Sequence, residues 1–208
     1  GIRTALFLLL AGSALGASGS AVSNLAPGHT SMEGCFEVTG TCGGARLGRF
    51  LGKVETPAAL MHTRRGFPSP FTLQDLDNLG VANCGLLQVC VSDFIDGPGE
   101  KVLAKCAGGL REFCGLEGRG EQMLVTLRDG LNGQSGMPAS DTWITAQAPG
   151  GQKKLEFERF VALLGAMRPE AAECLPDEVR AEVSAKRAKK SVDRGIQWMD
   201  MCIQAREE

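Results

Sequence analysis

Two carboxylates in this 208-residue chain stand where chemistry is commonly done, Asp129 and Asp177. Met123 to Leu127 is a compact apolar run suited to a buried strand, and Asp129 falls just past its carboxyl end. Ala171 to Leu175 reads as a second short strand, leading directly into Pro176-Asp177-Glu178. Two carboxylates facing one pocket serve general acid/base work. Each also has a plainer role open to it: Asp129 as a turn residue before glycine, Asp177 as a helix-start residue beside Glu178, favoured at the positive end of the helix dipole.

The residues after Asp177 form the strongest periodic pattern. At helical spacing Ala188, Val192, Ile196, Met199 and Ile203 share one face, and Lys186, Lys190 and Arg194, with Lys189 adjacent, form a basic stripe on another. Such a stripe can meet nucleic-acid phosphates through charge and counterion release, or stand as a solvated face. Trp198 is expected in the core or at a subunit contact, whereas nothing assigns Trp143.

Composition narrows the class. With 43% hydrophobic and 22% charged residues the chain is globular, and a net charge of −2 confines any nucleic-acid contact to a local patch. The eight cysteines (Cys35, Cys42, Cys84, Cys90, Cys106, Cys114, Cys174 and Cys202) contain no C-x-x-C pair, and only His29 and His62 accompany them. That spacing offers no compact zinc site and suits dispersed thiols buried as small hydrophobes. At the amino end, Arg3 precedes an apolar run from Ala5 to Ala11 and then small residues, a signal-like pattern too short for a membrane span. A secretory signal would make the cysteines a disulfide set in a secreted binding protein.

Several elements must position these groups. Short β-like runs with glycine turns fill Met32 to Leu60, with a first strand of a larger sheet near Pro57 to Met61. Thr72 caps a helix carrying Leu73, Leu76 and Leu79, and Cys84 to Val91 forms a buried strand. A helix is predicted from Gly99 through Phe113. Residues 132 to 151 read as loop with a short strand at Thr142 to Gln147. A helix bearing Phe157, Phe160, Val161, Leu164 and Met167 follows, stopped by Pro169. Strands alternating with helices imply a parallel sheet.

A family resemblance runs through the same words. Ser191-Val192-Asp193-Arg194 and Cys174-Leu175-Pro176-Asp177-Glu178 resemble motifs of the tRNA-guanine transglycosylases, most closely their non-catalytic eukaryotic branch. Arg46-Leu47-Gly48-Arg49 followed by Val54-Glu55-Thr56-Pro57 is similar to that family's opening strands. Ala107-Gly108-Gly109-Leu110-Arg111-Glu112-Phe113, followed by Leu127-Arg128-Asp129, is similar to its Ala-Gly-Gly-Leu-His-Lys-Phe helix end and pocket aspartate.

The resemblance implies an α/β fold, the first half of a (β/α)8 TIM barrel preceded by a small β-sheet over residues 32–208, with residues 1–31 as an upstream or signal-like segment and translation starting at Met32. It implies that Asp129 matches an aspartate assisting base exchange and Asp177 one recognising the heterocyclic base. Gly130-Leu131-Asn132-Gly133-Gln134 replaces the family's Ser-Gly-Gly-Phe-Gln, however, and Val179 replaces a cysteine. It implies a catalytic partner subunit in a heterodimer that exchanges guanine for queuine at the tRNA wobble position, and with tRNA as the nucleic acid the basic stripe of Lys186, Lys189, Lys190 and Arg194 becomes a candidate for its phosphates. The nucleophile and the zinc ligands of the full-length protein are expected in the second half of the barrel, with no zinc held by this chain. The location implied is cytoplasmic, with peripheral mitochondrial outer-membrane association. A catalytic transglycosylase with an atypical pocket is the alternative within the family.

Overall fold

The computed structural model describes residues 8–9, 35–80, 85–129, 131 and 137–207. Of the upstream segment it describes β1 (Leu8–Leu9) alone. Three antiparallel strands follow, β2 (Phe36–Cys42), β3 (Ala45–Phe50) and β4 (Val54–Thr56), forming a separate small sheet. The larger sheet runs β1-β10-β7-β6-β5. Its members β5 (Met61–His62), β6 (Leu86–Cys90), β7 (Gln122–Thr126) and β10 (Ala171–Glu173) are mutually parallel, and β1 lies antiparallel on β10. The alternation of strands and helices therefore does yield a parallel sheet, although β5 begins later than the sequence pattern suggested.

Side-chain alternation gives the parallel sheet two different faces. Leu87, Val89, Met123, Val125 and Ala172 join the main core with the helices, whereas Leu86, Leu124 and Ala171 form a second cluster with Val54. On that second face the strands turn polar toward their carboxyl ends: Gln88 Nε2 donates to Thr126 Oγ1 at 3.1 Å, and Thr126 Oγ1 donates to the Arg128 carbonyl at 3.0 Å. The small sheet thus seals the amino end of this face through Val54, and the carboxyl end is left to polar groups.

The helices follow local rules. α1 (Leu73–Asn78) starts on a capping box, with Thr72 and Asp75 satisfying each other's backbone N–H groups. A 3-10 turn (Val91–Phe94) follows β6. The single helix expected from Gly99 to Phe113 is in fact two, α2 (Gly99–Leu103) and α3 (Gly109–Phe113). The reason is packing: at Gly109 (φ +62°) a Cβ would lie 2.6 Å from the Met167 carbonyl oxygen, so the chain bends there to meet the next helix. Arg111 then ties α3 to the amino ends of two strands, donating to the Glu121 carbonyl and to Glu170, each at 2.7 Å, while Glu170 also accepts the Met123 N–H.

α4 (Phe157–Met167) matches its expected pattern, burying Phe157, Phe160, Leu164 and Met167 and ending at Arg168 in the left-handed region just before Pro169. Each such fully buried side chain contributes about 1.5–3 kcal/mol of apolar transfer free energy. Two further differences matter for the site. Residues read mostly as loop form a hairpin, β8 (Trp143–Ala148) and β9 (Gly151–Glu156), joined through Pro149-Gly150 and burying Ile144, Ala146, Ala148 and Leu155. The polar run Gln152-Lys153-Lys154 conceals β9 from a hydropathy pattern.

The last helix, α5 (Ala185–Glu207), is the second difference. Val192 and Ile196, expected on its buried face, are 60% and 47% exposed, whereas Arg194, Trp198 and Cys202 are buried. Trp198 lies in the core with its Nε1–H donated to the Asp141 carbonyl at 3.0 Å. The seven described cysteines are free thiols, and no helix among the described residues is long and apolar enough to cross a membrane.

Candidate functional site

Parallel strands bring their carboxyl ends to one edge, and the polar groups gather there. Asp129, after β7, is buried and faces two residues from the end of β5: Arg64 Nη2 lies 2.9 Å from its Oδ2, and His62 Nε2 lies 3.6 Å from its Oδ1. Oδ1 also accepts the Leu131 N–H at 2.8 Å, which is a turn role. Asp129 therefore closes its own turn and also lines a pocket. Asp93, after β6, accepts the Arg65 N–H at 3.1 Å. Arg64, Asp93 and Asp129, with Ser92, Arg128 and Gln147, line a cavity of about 120 Å³.

Asp177 occupies a different environment. Its side chain is 0% exposed. Arg187 meets it with both terminal nitrogens, Nη1 to Oδ2 at 2.8 Å and Nη2 to Oδ1 at 2.6 Å, in a fork-to-fork pair. Arg194 adds Nη1 to Oδ2 at 2.5 Å and holds Asp141 Oδ1 through Nε and Nη2, at 3.0 and 2.8 Å. The Asp177 carbonyl also accepts a hydrogen bond from Ser191 Oγ. The Arg187 and Arg194 contacts are stronger than a helix-start role. α5 begins eight residues later, at Ala185, so Asp177 is no capping residue of that helix.

The two aspartates do not share a pocket. The cavity beside Asp177 measures about 20 Å³, room for about one water and no more. Met137, Pro138 and Ala139, with Ile144 and Thr145 of β8, wall it off, and Arg128, whose guanidinium pairs with Glu178, stands in both linings. The expectation of two carboxylates acting on one substrate is thus corrected by the hairpin, which divides the edge of the sheet into two compartments. Each acid in them faces a guanidinium or a backbone N–H.

The basic stripe also divides. Lys186, Lys189 and Lys190 are exposed on α5, whereas Arg194 points inward with a side chain 4% exposed and joins the aspartate cluster. Arg194 is therefore a buried ion-pair residue and is removed from the set of outward phosphate contacts. The sequence reading missed Arg187, Asp141, Arg64 and Arg128. A signal for the first was present: residues 187, 191, 194, 198 and 202 recur at helical spacing and all turn inward or partly inward.

Burial pushes the Cys90 thiol up to about 12 and the Cys114 thiol to about 11, so both stay protonated near neutrality. Iodoacetamide at pH 8 is expected to alkylate exposed Cys42 rapidly and Cys90 and Cys114 only after denaturation; peptide mapping that finds Cys90 modified in the native protein would contradict this burial. Among the described residues no three His, Cys, Asp or Glu side chains converge as a metal site.

Comparison with known proteins places this geometry in a lineage. Residues 41–208 match the family model described as queuine tRNA-ribosyltransferase. The chain is 26% identical over 185 residues to the human queuine tRNA-ribosyltransferase accessory subunit 2, covering 83% of this chain and 43% of that protein. It is 28% identical over 179 residues to the accessory subunit 2 of Trichoplax adhaerens, covering 83% and 46%, and 28% identical over 181 residues to that of Gallus gallus, covering 80% and 41%. The chain spans less than half the length of these relatives. With the match extending over most of its length, from Thr41 in β2 of the small antiparallel sheet through α5, the chain belongs to the queuine tRNA-ribosyltransferase family.

Proposed function

We propose that this chain serves in the non-catalytic accessory subunit of queuine tRNA-ribosyltransferase, paired with the catalytic subunit to support exchange of guanine for queuine at the wobble position of tRNA. The single observation that carries the reading is the state of Asp177. The position matching a base-recognising aspartate has both carboxylate oxygens engaged by Arg187 and Arg194, in a cavity too small for a heterocycle. The relatives' names agree with a partner role instead of a catalytic one.

In this proposal β5, β6, β7 and β10 are the first four strands of a (β/α)8 barrel. A sheet whose inner face is apolar at the amino end and polar at the carboxyl end is the arrangement that barrel strands require. Cytoplasmic location and peripheral mitochondrial outer-membrane association are proposed with the family. Zinc is expected of the full-length family member, but the described residues of this chain do not fit a zinc site, and no step of the proposal runs through a metal.

The purified chain, incubated with tRNA and labelled queuine, is expected to give no incorporation, and to co-purify with the catalytic subunit when the two are co-expressed. Incorporation by this chain alone, or failure of the full-length protein to associate with the catalytic subunit, overturns the accessory role.

A further inference from the structure

Two of the buried thiols meet across the core. Cys174 is the first residue past β10, and Cys202 lies on the inward face of α5, two helical turns beyond Arg194. The Cys202 thiol donates a hydrogen bond to the Cys174 sulfur, and its own sulfur accepts the Leu175 N–H. A sulfur of α5 is therefore seated on the backbone at the end of the parallel sheet, in contact with a second sulfur. Two other buried thiols differ in kind: Cys90 is paired with the Thr126 hydroxyl and Cys114 with the Arg65 carbonyl, neither of which can complete a disulfide.

The pair is asymmetric. Donation from Cys202 holds the Cys174 thiol below its usual range, whereas the same bond, together with burial, pushes the Cys202 thiol up. Cys174 is thus the thiolate-forming member, and Cys202 is the neutral donor beside it. Both stand next to structure that opens locally. Residues 174 to 184 contain no helix or strand, and Cys202 sits in the last two turns of a helix that ends at Glu207, where fraying is least costly. A small oxidant reaches such a pair without global unfolding.

We propose that Cys174 and Cys202 form a reversible redox site, a dithiol that a hydroperoxide converts to an intramolecular disulfide, fixing α5 to the end of the parallel sheet. The Cys174 thiolate attacks the terminal oxygen of ROOH, the O–O bond breaks, and the alkoxide released takes up the proton that Cys174 had lost, leaving a sulfenic acid on Cys174. Cys202 then gives up its proton and attacks the sulfenic sulfur. The S–S bond forms, the S–O bond breaks, and the departing hydroxide leaves with that proton as water. Two thiols and ROOH thus become one disulfide, ROH and water; two molecules of glutathione reverse the change and leave as glutathione disulfide. The crosslink closes a loop that contains Asp177, Arg187 and Arg194, so oxidation tightens the chain around their ion pairs.

The test uses the full 208-residue chain with exposed Cys42 changed to serine, which removes bridging between molecules through that thiol. After treatment with hydrogen peroxide and blocking of the remaining thiols in denaturant, tryptic mapping without reduction is expected to find peptides 160–180 and 195–206 joined as the main crosslink. The oxidised chain should melt about 5–15 °C higher than the reduced one, and glutathione should return it to the starting temperature. In Cys202→Ala the sulfenic acid has no resolving thiol, so dimedone should label Cys174; in Cys174→Ala it should leave Cys202 unlabelled. The mapping and the melting shift are read with both cysteines in place, so they decide the proposal even where an alanine variant fails to fold. Disulfides scattered over several cysteine pairs, both thiols recovered unlinked, a crosslink that leaves melting unchanged or lower, or dimedone on Cys202 in place of Cys174 overturns it.

Discussion

Replacing Asp177 by alanine is expected to lower stability by about 3 kcal/mol, at the low end of the roughly 3–5 kcal/mol that follows when one partner of a buried ion pair is removed. The low end applies because Arg194, though left 4% exposed without Asp177, retains Asp141 at 2.8 Å. In a chain of this length the loss corresponds to about 6–12 °C in melting temperature. Arg187→Ala should cost far less, about 1 kcal/mol, since its side chain is a third exposed and Asp177 keeps Arg194. The ordering of the two variants carries the argument: it follows from burial alone and would be reversed if Arg187 were the structural member of the cluster. Thermal and urea unfolding of the two variants and of the parent measure it. A change below 1 kcal/mol for Asp177→Ala would show that the carboxylate is not the hub of the cluster.

That cluster also marks where a sequence stops being legible. α4 can be read from Phe157, Phe160, Leu164 and Met167 because its burial is purely hydrophobic, and a stop at Pro169 is a property of the local backbone. α5 is also visible as a helix, but its orientation is not. Its inward face carries Arg187, Ser191 and Arg194, polar residues whose hydrogen bonds go to Asp177 and Asp141, seventeen and fifty-three residues from Arg194. Hydropathy scores those positions as solvent-facing, and so places Val192 and Ile196 inside, where the structure has them exposed. Long-range ion pairing accompanies the burial of Trp198 and Cys202 on this face, and hydropathy alone does not encode it.

The site shows the same division. The positions of Asp129 and Asp177 past strand ends were legible, since a compact apolar run ending in a polar residue is a local signal. Their separation was not: the Asp177 cavity is lined by Met137 to Ala139 and by β8, and β8 is paired in turn to β9. The segment Gln152-Lys153-Lys154 lacks the apolar alternation of a half-buried strand; only Leu155 of that strand is fully buried. β9 exists through its pairing with β8, from Trp143↔Glu156 to Ala148↔Gly151, and its outward side is held by contacts such as Lys154 over the Trp143 ring at 5.4 Å. A hairpin assembled from cross-strand pairing then closes over the edge where a sequence pattern alone placed an open pocket.

Under the proposed accessory role, the orientation of α5 changes which charges face a tRNA. In a full-length complex with the catalytic subunit, replacing Lys186, Lys189 and Lys190 by alanine is expected to weaken tRNA binding and flatten its salt dependence, whereas Arg194→Ala should act on stability first. Each phosphate contact adds about 0.7–0.9 to the slope of log K against log salt, so three lost contacts reduce it by about 2–2.7. Between 50 and 200 mM salt the parent complex should then lose roughly 20- to 40-fold more affinity than the variant does. The lysines are exposed and on one helix, so their removal leaves the core and the Asp177 cluster intact, and circular dichroism of the variant should match the parent. Filter binding or fluorescence anisotropy at four salt concentrations reads the slope directly. An unchanged slope in an assembled complex would assign Lys186, Lys189 and Lys190 to a solvated face and leave the proposed accessory role to rest on subunit pairing.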